Sequence, residues 1–310
     1  MRRLIVLLPL AIAATSPPDP AAFDRGNGQT EDVRLKRDAH DRMTVSIKVG
    51  GSGPYDFLVD TGSERTVISR ALADRLGLVT GERTMMRSVL GSMVVSTVNI
   101  PSIVVSRRDL TVSNAPALDA AHIGADGMLG VDTLIAQRVM FDFKRKTMSI
   151  SPSRAPQERV DADTIVVEAR RVHGRLLFTN AMVNGRSVVV VIDTGSQITI
   201  GNAALRSRML GRRTPRETVE IETIAGEKAF AHLGQVRSLE IGGIMLKDMK
   251  IAFTDAPVFR QLDLENRPAL LLGMNAMRAF DRVSIDFATR QVRFVMPGTS
   301  MARGVRMASR

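Results

Sequence analysis

An all-β chain of two barrel-like lobes, related by a pseudo-two-fold axis and carrying only short helices, is what this sequence predicts. Three observations lead there. The tetrapeptide Asp-Thr-Gly-Ser stands at residues 60–63 and again at 193–196. Each copy ends an apolar run, Phe57-Leu58-Val59 before the first and Val188 to Ile192 before the second. Candidate strands around both copies are short and frequent, and long helical periodicity is scarce.

Taken in order, the elements of the two halves answer to one another. Met43 to Gly51 alternates and then turns, and Leu176 to Gly185 does the same. Each reads as strand, tight turn, buried strand and then the Asp-Thr-Gly turn. Short apolar stretches follow, Thr66-Val67-Ile68 and Ile198-Thr199-Ile200, then short helices expected over Arg70 to Leu76 and Asn202 to Met209. Next comes a hairpin with a glycine near its tip, Ser88 to Val95 with Gly91 and Glu222 to Ala229 with Gly226. These glycines lie 31 and 33 residues after their aspartates. Gly127-Met128-Leu129-Gly130 answers to Leu270-Leu271-Leu272-Gly273, at offsets of 70 and 80 to the last glycine. Strand pairs close the halves, Phe141 to Ile150 and Ile285 to Phe294. Four landmarks in one order argue for two copies of one unit, and the ten-residue drift is read as a surface-loop insertion in the second half.

The repeat supplies two carboxylates on separate segments that can meet and share one proton, as acid-type peptide hydrolysis requires. Gly62 and Gly195 allow the sharp turn that aims backbone N–H groups at Asp60 and Asp193.

The whole pattern, over about Asp32 to Val295, resembles the aspartic peptidases of the pepsin and retropepsin superfamily. The only tyrosine is Tyr55, so neither hairpin carries the flap tyrosine typical of pepsin, and the chain has no cysteine. It looks most like two retropepsin-like units fused in tandem, a group seen among bacterial proteins. The resemblance implies an aspartic-protease fold with an N-terminal lobe over 31–150 and a C-terminal lobe over 164–298. It implies catalytic roles for Asp60 and Asp193, which would activate a water between them, and flaps that flex at Gly91 and Gly226. It implies that Thr61 and Thr194 bond across the interface, and that Ser63 and Ser196 bond the outer carboxylate oxygens. The partner expected is a peptide or protein substrate, cut by a monomer. A non-catalytic peptide-binding or scaffold protein of the same fold is the alternative.

Composition sets the outer limits. With 310 residues the chain is long enough for two ordinary domains. The boundary is expected over Ser151 to Asp163, where proline, serine and charge gather. Zero cysteines exclude disulfides, thiolate zinc sites, a cysteine nucleophile and a lipobox anchor. His40, His122, His173 and His232 show no ligand spacing, and no Gly-x-Ser-x-Gly elbow accompanies them, so no metal, cofactor or serine triad is expected. Asp126 and Asp132 are read as turn or surface residues. Met85, Met86 and Met93 either line apolar subsites or fill core.

Arg2 and Arg3 followed by the apolar Leu4 to Ala14 read as an export signal, with residues 1–22 as signal peptide and leader. That run is too short to span a bilayer, so no integral membrane segment is expected in the mature chain. A periplasmic or secreted protein follows. The formal net charge is +11, or +9 without Arg2 and Arg3. Nucleic acid is not the expected partner, since there is no tryptophan and the arginines are spread rather than interleaved with aromatics. Residues 299–310 read as a disordered basic tail.

Overall fold

The structure is a computed structural model that describes residues 43–87, 92–106, 108–156, 163–210 and 217–298. It also gives the backbone of the short strands Ala11–Ile12, Glu31–Arg34, Lys36–Arg37 and Val305–Met307. Gly91, His40, most of the leader and most of the tail lie outside the described residues.

The first half folds from its two turn glycines outward. Strands Met43–Val49 and Ser52–Val59 meet at Gly50-Gly51, both at positive φ (57° and 76°). Two such residues fit a turn whose twist matches the strands. Beyond Ser52–Val59 the sheet continues through Gly127–Leu129, Val67–Ser69, Arg108–Leu118 and Thr97–Val105. The last strand pairs back onto Met43–Val49, so six strands close into a barrel.

The second half repeats this plan. Arg175–Val183 and Arg186–Ile192 turn at Asn184-Gly185, at φ 49° and 73°. The order then runs Ala269–Leu272, Thr199–Gly201, Ile244–Phe253 and Lys228–Ile241, and Lys228–Ile241 pairs back onto Arg175–Val183. The parallel pairs Phe57–Val59 with Gly127–Leu129, and Val189–Ile192 with Ala269–Leu272, explain the unbroken apolar runs before each aspartate. Parallel strands are covered on both faces, so alternation disappears there.

A third sheet joins the halves. Its order is Thr164–Glu168, Gln291–Val295, Arg282–Asp286, Gln137–Asp142, Thr147–Pro152 and Glu31–Arg34. The closing strand pairs expected from the sequence thus become one six-stranded sheet, with Arg138 opposite Asp286 and Asp142 opposite Arg282 at its centre. Arg138 and Asp286 form a buried ion pair at 3.3 Å there.

Both expected helices form. Ser69 caps Arg70–Arg75 by accepting the Leu72 N–H at 3.1 Å, and Asn202 caps Ala203–Leu210 by accepting the Leu205 N–H at 2.9 Å. The extra length of the second half is not a surface loop. Much of it is the helix Pro257–Gln261 and the turn after it, whose Val258, Phe259, Leu262 and Leu264 are buried in the apolar cluster of the second lobe. An insertion with four buried apolar residues closes a core rather than decorating it.

Candidate active site

Each aspartate sits just past the end of a buried parallel strand. The Asp60 N–H donates to Leu129 O at 3.0 Å and the Asp193 N–H to Leu272 O at 3.1 Å. The following glycines then turn the chain back. Gly62 N–H donates to Asp60 Oδ1 at 2.8 Å, and Gly195 N–H to Asp193 Oδ1 at 3.0 Å, joined by Ser196 N–H at 3.2 Å. Gly195 also lies against the opposite aspartate. A Cβ there would be 2.4 Å from the Asp60 carboxyl carbon, so only glycine fits.

The two loops are locked by a reciprocal set of four bonds. Thr61 N–H donates to Thr194 Oγ1 at 3.0 Å, and Thr194 N–H to Thr61 Oγ1 at 3.1 Å. Each hydroxyl then donates to the carbonyl ahead of the opposite aspartate, Thr61 Oγ1 to Ile192 O at 3.2 Å and Thr194 Oγ1 to Val59 O at 2.8 Å. The cross-interface role expected for Thr61 and Thr194 is therefore the geometry found.

The serines do something else. Ser63 Oγ donates to Arg65 O at 2.8 Å and Ser196 Oγ to Ile198 O at 2.6 Å. Both hydroxyls brace the turn two residues on, a local bond that serine makes readily. Backbone N–H groups, rather than these side chains, orient the carboxylates. Asp60 Oδ2 and Asp193 Oδ2 are buried and have no hydrogen-bond partner.

Burial dominates the electrostatics. Asp60 and Asp193 are 1% and 0% exposed. Desolvation pushes the Asp60 carboxyl up to about 6, against the Gly62 N–H and the Arg175 charge, which lower it. Desolvation also raises Asp193 well above the ordinary carboxyl range, and the Asp60 charge adds to it. The two titrate as a unit.

Arg175 is the residue that the sequence reading missed. It opens the strand Arg175–Val183 of the second half, is fully buried, and reaches into the loop of the first half. Its Nε donates to Gly62 O at 2.9 Å and its Nη1 to Glu64 Oε1 at 2.7 Å. Burial lowers its pKa, while Glu64, Asp193 and Asp60 hold it up. A signal existed: His173-x-Arg175 before the second strand pair echoes His40-x-Arg42 before the first. Arg42 lies outside the described residues. Glu64 has no acidic counterpart in the second half, where Gln197 accepts from Arg278 Nη2 at 2.9 Å.

Asp132 is half-buried and does more than occupy a turn or surface position. It accepts from Thr66 N–H, Thr66 Oγ1 and Thr133 N–H, and burial raises its carboxyl. Asn275 holds Thr199 in the same way in the second half. These brackets fix the segments that Gly130 and Gly273 cross, where a Cβ would lie 2.4 and 2.6 Å from backbone carbonyls. Asp126 is partly exposed and accepts the Asp56 N–H, as expected of a turn residue.

Hairpins form at both expected places, Thr84–Arg87 with Ser92–Val95 and Thr218–Glu222 with Lys228–Ile241. The tip of the second crosses to the first lobe. Gly226 takes φ 80° and lies against the His122 ring. Ile224 is 1% exposed and packs among Leu58, Val67, Met86, Val95, Leu118 and Met128. Met86 is thus core, while Met85 and Met93 are exposed. The cavity bordering Asp60, Thr194 and Gly195 measures about 10 Å³, room for about one water.

Among the described residues no group of three His, Cys, Asp or Glu could hold a metal ion. Among them also no helix is long and apolar enough to cross a membrane.

The sequence profile described as aspartyl protease matches twice, over residues 45–133 and 179–276. A search of curated proteins gives no match. Among solved structures the chain is similar to a retropepsin-like aspartic protease from Rickettsia conorii, at 20% identity and a TM-score of 0.31, over 42% of this chain and 89% of that one.

Proposed function

This chain belongs to the aspartyl protease family, and from that premise we propose that it is an aspartic endopeptidase in which Asp60 and Asp193 share one proton and activate a water. One observation carries the reading: two buried carboxylates, each with one oxygen held by loop N–H groups and the other without a protein partner. Two adjacent buried charges are costly, and a shared proton leaves only one.

The ionised carboxylate takes a proton from the water as the water oxygen bonds to the carbonyl carbon. The protonated carboxyl hydrogen-bonds the carbonyl oxygen and passes its proton there. Collapse of the tetrahedral species breaks the C–N bond, the amine nitrogen receives a proton, and the dyad returns to its singly protonated state. No covalent intermediate is involved. The Thr61–Thr194 lattice keeps both carboxylates in register through the cycle, and the second hairpin excludes bulk water while it lies over the site.

Digestion of a denatured protein mixture from acid to neutral pH, with and without pepstatin, tests the reading. Cleavage that pepstatin blocks, and that Asp60→Asn and Asp193→Asn both lack, supports it. A protein that binds unfolded chains without cutting them would instead be the non-catalytic peptide binder. We further propose export to the periplasm or medium on the strength of Arg2, Arg3 and the apolar Leu4 to Ala14. N-terminal sequencing of the protein from a periplasmic fraction checks it, and an intact Met1 there would count against it.

A further inference from the structure

A second cavity, of about 190 Å³, opens between the first hairpin, the helix Ala120–Ile123 and the tip of the second hairpin. That is far above the ~15 Å³ that holds one water. Its charge is one-sided. Arg70 and Arg83 line it, with His122 and a single acid, Asp119. Asp119 Oδ1 already accepts the Ala121 N–H at 2.9 Å as the cap of that helix. Arg70 and Arg83 are exposed, and among the described residues neither has an ion pair or hydrogen bond. Other arginines nearby are engaged: Arg65 bonds Ser113 O, and Arg75 lies 3.7 Å from Asp126.

The cavity is joined to the aspartates by shared walls. Leu58 and Met128 border the space beside Asp60. They belong to the same apolar cluster as Val95, Leu118 and Ile224, which wall the basic cavity. A peptide crossing Asp60 in extended form places alternate side chains on one face, about 7 Å apart. One aliphatic side chain set on Leu58 and Met128, where Ile224 now packs, brings a neighbouring one towards the two guanidinium groups.

We propose that this cavity is a substrate subsite for a carboxylate side chain, Asp or Glu, of the peptide being cut, with Arg70 and Arg83 as its specificity-determining residues. The inference rests on the endopeptidase reading above. Arginine suits the task because its planar fork meets a carboxylate with two parallel bonds. The same site disfavours a lysine-bearing peptide by like-charge repulsion.

The test uses the whole protein and sets of fluorogenic peptides that differ only in Glu, Gln or Lys at one position, scanned across the scissile bond. At one position the Glu peptide should be cut about five- to tenfold faster than the Gln peptide in kcat/KM, less so at high salt. The Arg70→Glu/Arg83→Glu double variant should lose that preference and favour Lys there. Arg237→Glu, a reversal at another exposed site, should leave the preference intact. The proposal is overturned if wild type shows no Glu preference at any position. It is also overturned if the double variant keeps that preference, or if Arg237→Glu erases it equally. If no peptide is cut, the endopeptidase reading fails on its own, and fluorescence anisotropy of the same labelled peptides then reads the cavity directly. Tighter binding of Glu over Gln, lost in the double variant, supports the subsite; equal binding sinks it.

Discussion

Around Asp193, two N–H groups of its own loop converge on one carboxylate oxygen, and the residue four positions on is the neutral Gln197. Around Asp60 the Gly62 N–H makes the shortest bond, and the residue four positions on is Glu64, paired with an arginine supplied by the other half. The two loops share a backbone plan and differ in how charge reaches them. Backbone geometry, common to both halves, fixes where the carboxylates are. The side chains that differ set how easily each holds its proton. Asp60 and Asp193 are therefore alike in position and unlike in their charged surroundings.

Replacing either aspartate should have the largest effect and erase the difference between them. Asp60→Asn and Asp193→Asn should each reduce hydrolysis on the order of a thousandfold or more, measured as kcat/KM on a short neutral peptide. Hydrolysis retained by either variant would mean that one carboxylate works alone. Stability should move the other way. Both carboxyls are raised, so the folded protein holds protons that the unfolded chain releases, and stability falls as pH rises from about 4 through about 6. Over that window the shift of Asp60 amounts to roughly 3 kcal/mol. Urea titrations of either Asn variant should show a flatter pH dependence and higher stability at pH 7 than wild type. A wild type that gained stability from pH 4 to 7 in proportion to its variants would contradict the raised values.

Arg175→Met sharpens the comparison on the Asp60 side. It removes a buried cation and strands Glu64 and Gly62 O, at a cost of about 3 kcal/mol in urea unfolding. It also removes a charge that lowers both aspartates, so the acid limb of the pH–rate profile should move to higher pH. An unmoved acid limb would make Arg175 a purely structural tie.

The threonines test where the halves are alike. Thr61→Val and Thr194→Val each remove an acceptor and a donor from the reciprocal lattice and leave buried backbone groups unmatched. Each should cost about 2 kcal/mol, and the double variant should cost less than the two losses summed because the bonds are mutual. Strict additivity would show that the loops are not coupled. The smallest effect belongs to the serines. Ser63→Ala and Ser196→Ala should each cost about 1 kcal/mol with little change in the pH–rate profile, since neither hydroxyl touches a carboxylate. A shift of the acid limb by a full pH unit would put those hydroxyls back on the aspartates.

What could be read from the sequence follows the same division. Asp60, Asp193 and their glycines were legible because turns and parallel strands constrain local residue types. Hairpin positions and both capped helices were legible for the same reason. Arg175 was not, because a buried arginine and an exposed one look alike in sequence, and its partner lies 111 residues away. The serine hydroxyls were assigned outward by resemblance, and the choice between a carboxylate and a carbonyl two residues on is decided by a rotamer. The insertion in the second half reads as a surface loop, yet buries Val258, Phe259, Leu262 and Leu264, because short polar-flanked stretches give no periodic signal.

The central sheet has a consequence in time rather than in space. Its middle seam pairs Gln137–Asp142, from the first half, with Arg282–Asp286, from the second half and so made later. Until that last strand exists, the first half presents an open strand edge. Asp60 then also lacks the threonine and glycine that complete its surroundings. A chain synthesised only through its first half therefore holds one carboxylate and no dyad. The paired-carboxylate arrangement arrives only when both halves are present and the seam between them has closed.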